Sequence, residues 1–222
     1  MPSPRRVTRE AILEEATRLV ERNGVNALTF QALADTLGVS KQAILYWYPS
    51  KWELMTDYSV PEMRKEADVV LAAISGTKTA REAIERFIRA FVHHYAGRLP
   101  QFRILYLVPP VGGGPSTPEQ QATLAPVHRI TSSIYGALES AIAADPDFVR
   151  EADPRRLAVA VHMSALGLVT MLALADSISD PLLHQMDDLI DAMVALQTGD
   201  KGGTRSTRVG DGSGRKGRTR VG

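Results

Sequence analysis

Gln42 and Tyr46, with Lys41, Ala43 and Trp47 around them, form the densest group of side chains able to read another molecule. Their segment has the length of a short helix, and a helix turns 100° per residue. With Ile44 at the centre of its buried side, Tyr48 falls beside it, and Gln42 and Tyr46 face the opposite way. Ala43 and Leu45 take the flanks, and Lys41 and Trp47 lie toward the edge that would meet a sugar-phosphate backbone. A glutamine pairs bidentately with adenine N6 and N7, and an alanine methyl packs on a thymine methyl. The chemistry implied is direct readout of a base sequence by Gln42 and Tyr46, with apolar help from Ala43.

Those side chains need a frame that presents one helix to a groove, and the flanking residues supply it. A helix is expected over Phe30 to Leu37, capped by the Thr29 hydroxyl, with Leu33, Ala34 and Leu37 on one face. Ala34 is small enough for a second helix to cross closely. Gly38 tolerates the positive φ of a helix end, Val39 plugs the gap, and Ser40 caps the next helix. Pro49 ends that second helix, because the residue before a proline is pushed out of the α region. Two short helices joined by a glycine turn make a helix-turn-helix. Thr29 and Ser40, at the starts of these two helices, join the candidate DNA contacts.

Residues from about Arg9 to Met55 resemble the TetR family of bacterial transcriptional regulators. The resemblance rests on Ile12-Leu-Glu-Glu-Ala16, Gly24, Leu28-Thr29, Leu33-Ala34, Leu37-Gly-Val-Ser40, Tyr48-Pro-Ser-Lys51 and Leu54. It covers about a fifth of the chain. Two positions depart from it: Ala43 and Leu45 stand where the family usually carries a threonine and a tyrosine that bond phosphates, and neither can do so. Tyr46 and Trp47 are expected to replace part of that function. The resemblance also implies a phosphate contact from Lys51, a helical body that binds a small molecule, and a dimer formed by the last two long helices.

The remainder of the chain reads as helical, with no period-two strand pattern, so the fold class is all-α with about nine helices. Pro2 to Arg6 is a short basic arm. Helices are expected over Val7–Asn23, Lys51–Ile74, Thr79–Gly97, Phe102–Val108, Thr123–Ala144, Asp153–Ser179 and Pro181–Gln197, with a Gly/Pro-rich loop over Val111–Pro118. The domains expected are the arm (1–6), a DNA-binding head (7–52), a ligand-binding and dimerisation body (53–197) and a basic tail (198–222). The tail, rich in Gly, Arg, Ser and Thr, is expected to be disordered, since it cannot bury a core.

Charge divides along the same lines. Residues 1–56 carry seven Lys/Arg against six Asp/Glu, and the tail carries seven against two. The middle is therefore acidic within a chain of net charge +1, which argues against a second nucleic-acid surface there. No cysteine is present, so disulfides and cysteine metal sites are excluded. The start shows no signal-peptide pattern, and the longest apolar run, Ala158 to Ala175, is interrupted by His162 and Ser164, so a cytoplasmic protein is expected.

In the body, Val161, Ala165, Leu168 and Leu172, with Ala158, form one apolar stripe, and Leu182, Met186, Leu189 and Met193 form another. These are the expected dimer contacts, where small residues alternating with leucines suit close helix packing. Phe87, Phe91, Tyr95, Phe102, Tyr106, His162, Met163 and Leu166 are the ligand-pocket candidates, with His94 or His162 as polar anchor. No catalytic or metal motif is found: His93 and His94 are adjacent and point to different faces, and no HExxH, P-loop or GxSxG pattern occurs. No enzyme activity and no cofactor are expected. The resulting reading is a homodimeric repressor that releases a palindromic operator when a small apolar or amphipathic ligand binds. Two alternatives stand beside it: a ligand-independent DNA-binding protein of the same fold acting in chromosome organisation, and a ligand-binding or enzymatic dimer with a degenerate head.

Overall fold

The computed structural model describes residues 7–107, 117–146, 148, 153–177 and 185–199. The basic arm, most of the 111–118 loop, Leu182 and the tail beyond Gly199 lie outside the described residues. The elements are α1 (Arg9–Asn23), a 3-10 turn (Val25–Ala27), α2 (Phe30–Leu37), α3 (Lys41–Trp47), α4 (Lys51–Ile74), α5 (Ala80–Ala96), α6 (Leu99–Phe102), a π-helical turn (Arg103–Leu107), α7 (Pro118–Ala143), α8 (Pro154–Ser177) and α9 (Met186–Thr198). Among the described residues there is no strand, so the all-α expectation holds.

Hydroxyl caps set the helix starts. Thr8, Thr29, Ser40, Ser50 and Thr79 each accept a hydrogen bond from the amide three residues on, satisfying a donor that the first turn leaves unpaired. Two of these extend the pairing through an acidic side chain: Ser50 with Glu53, and Thr79 with Glu82, whose carboxylate takes the Lys78 amide at 2.9 Å. Gly38 closes α2 at φ +66°, the left-handed conformation that glycine adopts without strain, and its amide bonds back to Ala34 and Asp35.

Three boundaries differ from the sequence-based expectation. The short helix begins at Leu99 rather than Phe102, because Pro100 fits the first turn, where its missing N–H costs nothing. Helix α7 begins at Pro118 rather than Thr123, with the Gln121 amide bonded to the Thr117 carbonyl. The last helix begins at Met186 rather than Pro181.

Two apolar clusters are built from these helices. The head buries Ile12, Ala16, Val20, Leu28, Leu33, Ala34, Ile44 and Tyr48. The body buries Ile84, Phe87, Ile88, Phe91, Tyr95 and Phe102 of α5 and α6 against Ile134, Leu138 and Ile142 of α7 and Ala158, Val161, Ala165 and Val169 of α8. Helix α4 belongs to both: Leu54, Met55 and Tyr58 pack in the head, and Ala67, Val70 and Ile74 pack in the body. Ile104 of the π-helical turn also packs in the head cluster, and Leu105 touches both.

Helix α8 corrects one expectation. Pro154–Asp176 is long and apolar enough to cross a membrane by length and composition only, and a third of its most apolar window is buried inside the fold. The stripe Val161, Ala165 and Leu168, expected at a dimer interface, instead lies inside the protomer, packed against its own α5 and α7. Leu172 is half-buried against the same core, as are Met186, Leu189 and Met193 of α9. The face of α8 left open carries Ala160, Met163, Gly167, Met171 and Leu174. Met163, expected in the ligand pocket, is 60 % exposed there. An aliphatic helix that is apolar all round offers no pattern to say which side faces inward.

Candidate nucleic-acid interface and ligand core

Ile44 and Tyr48 are fully buried and fix the rotation of α3 about its axis. That rotation leaves Lys41, Gln42 and Tyr46 on the outside, Tyr46 with 79 % of its surface exposed, and Ala43 and Leu45 on half-buried flanks. Thr29 and Ser40 are exposed at the starts of α2 and α3, and Lys51 is exposed at the start of α4. The candidate contacts therefore gather at exposed positions on α3 and at three helix N-termini, where free amides favour phosphate oxygens. Trp47 is different. It is half-buried, and its only donor, the indole N–H, goes to the Val7 carbonyl at 3.0 Å. It anchors the segment before α1 and has no hydrogen left for a phosphate, so it does not replace the bonds that Ala43 and Leu45 lack.

The end of α3 is tied to α4 by a polar network absent from the sequence reading. Asp57 accepts from the Tyr48 hydroxyl at 2.9 Å and from Arg9 Nε at 2.7 Å, and the Arg9 guanidinium lies over the Tyr48 ring, 4.9 Å from its centre. Burial, helped by the Asp57 carboxylate, pushes the Tyr48 phenol up to about 12, so the hydroxyl keeps its proton as a donor. Four residues after Asp57 stands Pro61, which has no N–H for the Asp57 carbonyl. The recognition helix is thereby fastened to the head half of α4, just before the point where that helix loses a backbone bond.

In the body, Phe87, Phe91, Tyr95, Phe102, Tyr106 and His162 come together as one aromatic cluster. Phe91 sits at its centre, with ring centroids 5.1 Å from His162, 5.4 Å from Tyr95 and 6.5 Å from Tyr106. Leu166 packs at the edge of this core and Met163 lies outside it. His94 is also elsewhere: its Nε2 meets Arg98 at 3.0 Å, and Arg98 pairs with Glu62. Burial and the neighbouring guanidinium hold the His94 imidazole below its ordinary value.

Two polar groups in the core stand out. Glu66 is 1 % exposed and accepts from the Tyr95 hydroxyl at 2.5 Å and the Tyr106 hydroxyl at 2.6 Å. Burial pushes its carboxyl up, while the two phenols' hydrogen bonds favour the ionised form, and both phenols are raised in turn. Sequence reasoning missed this residue, although a glutamate in register with Ala67, Val70 and Ile74 on a buried face was a readable signal. His162, 6 % exposed, has no hydrogen-bond partner at either ring nitrogen among the described residues and is surrounded by the edges of Phe87, Phe91 and Tyr135. Burial pushes its imidazole down to about 4, so it is neutral at pH 7 with one donor and one acceptor unused.

Away from the core, an open groove of about 370 Å³ runs along the head between α1 and the end of α2. Its one cation, Arg18, pairs with both of its carboxylates, Glu14 at 3.2 Å and Glu15 at 2.6 Å. Among the described residues, no group of three His, Asp or Glu is placed to hold a metal ion.

A capped helix-turn-helix on a helical body, joined by one helix that enters both cores, defines a DNA-binding transcription regulator. The match to known proteins agrees: residues 12–58 fit the family model for bacterial regulatory proteins of the tetR family. The match covers the head alone, and it is the head that is similar to this family. No curated protein sequence matches it significantly. Solved structures similar in fold include a protein of unknown function from Rhodococcus sp. RHA1, at 17% identity and TM-score 0.64, covering 89% of this chain and 97% of that one. A putative tetR family transcription regulator from Shewanella sp. PV-4 is similar at 18% identity and TM-score 0.58, covering 86% and 95%. The regulator FadR from Bacillus subtilis, solved in complex with stearoyl-CoA, is similar at 15% identity and TM-score 0.62, covering 86% and 98%.

Proposed function

We propose that the protein is a ligand-responsive repressor that acts as a homodimer on a palindromic operator in the cytoplasm. The observation that carries the DNA half of this reading is the face of α3. Gln42 and Tyr46 project outward because Ile44 and Tyr48 are buried opposite them, and Asp57 and Arg9 lock that orientation. Gln42 reads a base edge; Lys41, Lys51 and the amides at the starts of α2, α3 and α4 hold phosphates.

Dimerisation follows from the open face of α8. From Leu157 to Ala175 the helix carries no charge, and Ala160, Met163, Gly167, Met171 and Leu174 recur at the three- and four-residue spacing of one helical stripe. Beside it, Leu196 of α9 is 83 % exposed, and the Gln197 amide bonds to Ser164 at 2.6 Å, which keeps the two helices adjacent. A stripe of this kind suits burial against its own twofold copy, with Gly167 letting the backbones approach. Two heads then meet two half-sites.

The effector reading rests on the aromatic core. His162 leaves two hydrogen-bonding positions unused inside an apolar, aromatic setting, the composition expected of a small-molecule pocket. FadR from Bacillus subtilis, alike in fold, holds an acyl-CoA; a smaller apolar or amphipathic ligand is proposed here. Ligand in the core and operator on the heads disfavour each other through α4, which packs in both clusters.

Paired substitutions test the division of labour on the interface. Gln42→Ala is expected to cost about 1–3 kcal/mol on the preferred operator and to relax preference at one base pair of each half-site. Lys51→Ala is expected to weaken every duplex alike and to lower the salt dependence of binding. Titrations of operator and scrambled duplexes at several salt concentrations read both. A sequence-selective loss from Lys51→Ala, or a uniform loss from Gln42→Ala, contradicts the assignment.

A further inference from the structure

Three aromatic rings stand edge-on around His162, and they differ in depth. Phe87 and Phe91 of α5 are fully buried, with ring centroids 5.6 and 5.1 Å from that of the imidazole. Tyr135 of α7, at 5.4 Å, is only half-buried. Its ring is therefore the thin part of the wall, where the seam of α7 and α8 meets solvent.

Tyr135 is held lightly. Its hydroxyl makes no hydrogen bond among the described residues. The Arg155 guanidinium, from the first turn of α8, lies over the ring at 5.0 Å from its centre and pairs with Glu139 at 3.2 Å. Glu139 stands one helical turn after Tyr135 on α7, so Arg155 straps the ring from one helix to the other. The Arg155 and Glu139 side chains are both well exposed, and a cation–π contact and an ion pair are weak in water. On the inner side, neither His162 nitrogen has a partner among the described residues. Swinging the ring away therefore breaks no hydrogen bond there and lets two unpaired nitrogens meet water.

We infer that Tyr135 is a gate between solvent and the aromatic core, strapped shut by Arg155, through which a small ligand reaches His162. A change of rotamer carries the ring outward and leaves the backbone in place. The packing of α7 is kept by Ile134, Leu138 and Ile142, which stay buried on its inner face. The use made of the opening rests on reading the core as the effector site. The opening itself does not, because its test needs neither effector nor DNA.

Diethyl pyrocarbonate, which transfers an ethoxycarbonyl group to a neutral imidazole, has the size of a small ligand and serves as the probe. The full chain is treated near neutral pH, and the rate at each histidine is read by peptide mass spectrometry, with the exposed His93 and His128 as references. In the parent chain His162 is expected to react about 100-fold more slowly than these, as for an open state populated at about 1 %. Tyr135→Ala is expected to raise the His162 rate roughly tenfold or more, and Arg155→Met about threefold. Tyr135→Phe keeps the ring and should stay slow. Leu138→Ala loosens α7 on its buried face and should also leave His162 slow. A His162 rate unchanged in Tyr135→Ala overturns the gate, and one unchanged in Arg155→Met overturns the strap. An equal rise in Leu138→Ala or Tyr135→Phe overturns the inference too, as does a parent His162 that reacts as fast as the references.

Discussion

Met171→Glu is expected to be monomeric and to lose about 100-fold in operator affinity, while keeping the helix content of the parent chain. Met171 is 64 % exposed, so a glutamate there meets water in the separated protomer and costs the fold little. In the proposed dimer it would stand in the middle of the α8 stripe, opposite its own copy, where two like charges would be taken out of water together. An unpaired charge in an apolar contact costs several kcal/mol, more than a modest interface can absorb. Splitting the dimer removes the second recognition helix, and with it the gain from tethering two half-site contacts. Sedimentation velocity and operator titration of the same preparation check both parts. A Met171→Glu protein that stays dimeric with full affinity would place the interface elsewhere. A companion change on the inner face, Ala165→Glu, is expected to unfold the body, since Ala165 is fully buried in the protomer.

The second large effect concerns His162. Its imidazole is pushed down to about 4 by burial, against about 6.5 in the unfolded chain. Below pH 6.5 the unfolded state takes up a proton that the folded state refuses until about pH 4. Stability therefore falls as pH drops through that window, by about 3 kcal/mol in all. Glu66 acts in the other direction: with its carboxyl raised by burial, stability falls as pH rises from the ordinary glutamate value toward the raised one. The His162 contribution is isolated by comparison with His162→Leu, which keeps the packing volume and removes both unpartnered nitrogens. That variant is expected to be the more stable one at pH 7, and its advantage should widen by about 3 kcal/mol between pH 7 and pH 4. Urea unfolding at intervals of pH reads the difference. An advantage that stays constant across the window means that His162 is not the buried neutral histidine described here. A more stable variant that has also lost its response to effector would show why so costly a residue is kept.

The parts of this molecule that were legible in its sequence are those fixed by neighbours along the chain. Thr29, Gly38 and Ser40 mark the helix-turn-helix because capping and positive φ are local matters, and Ile44 with Tyr48 set the outward face through helical period alone. The α5 stripe Ile84, Phe87, Ile88, Phe91 and Tyr95 was readable for the same reason, because polar residues flank it and mark its inner side. Helix α8 had no such mark. With alanines, valines and leucines all round, its inner stripe Val161–Ala165–Leu168 and its outer stripe Met163–Gly167–Met171 are equivalent until α5 and α7 are in place. Trp47 was ambiguous for another reason. Whether an indole N–H bonds a phosphate or a carbonyl such as that of Val7 depends on partners tens of residues away. Glu66 lies between the two cases: its place in an apolar register was visible, but the phenols that hold it come from α5 and the π-helical turn.

The central claim is that the exposed face of α3 reads a base sequence as one half of a symmetric pair. Selection from random duplex DNA with the purified full chain at about 150 mM salt tests it most directly, since non-specific phosphate binding is weakened there and base readout must supply the preference. The account expects enrichment of a palindrome whose half-sites each contain an A·T pair that loses its preference in Gln42→Ala. A selected pool with no common sequence, or one unchanged by Gln42→Ala, would contradict it.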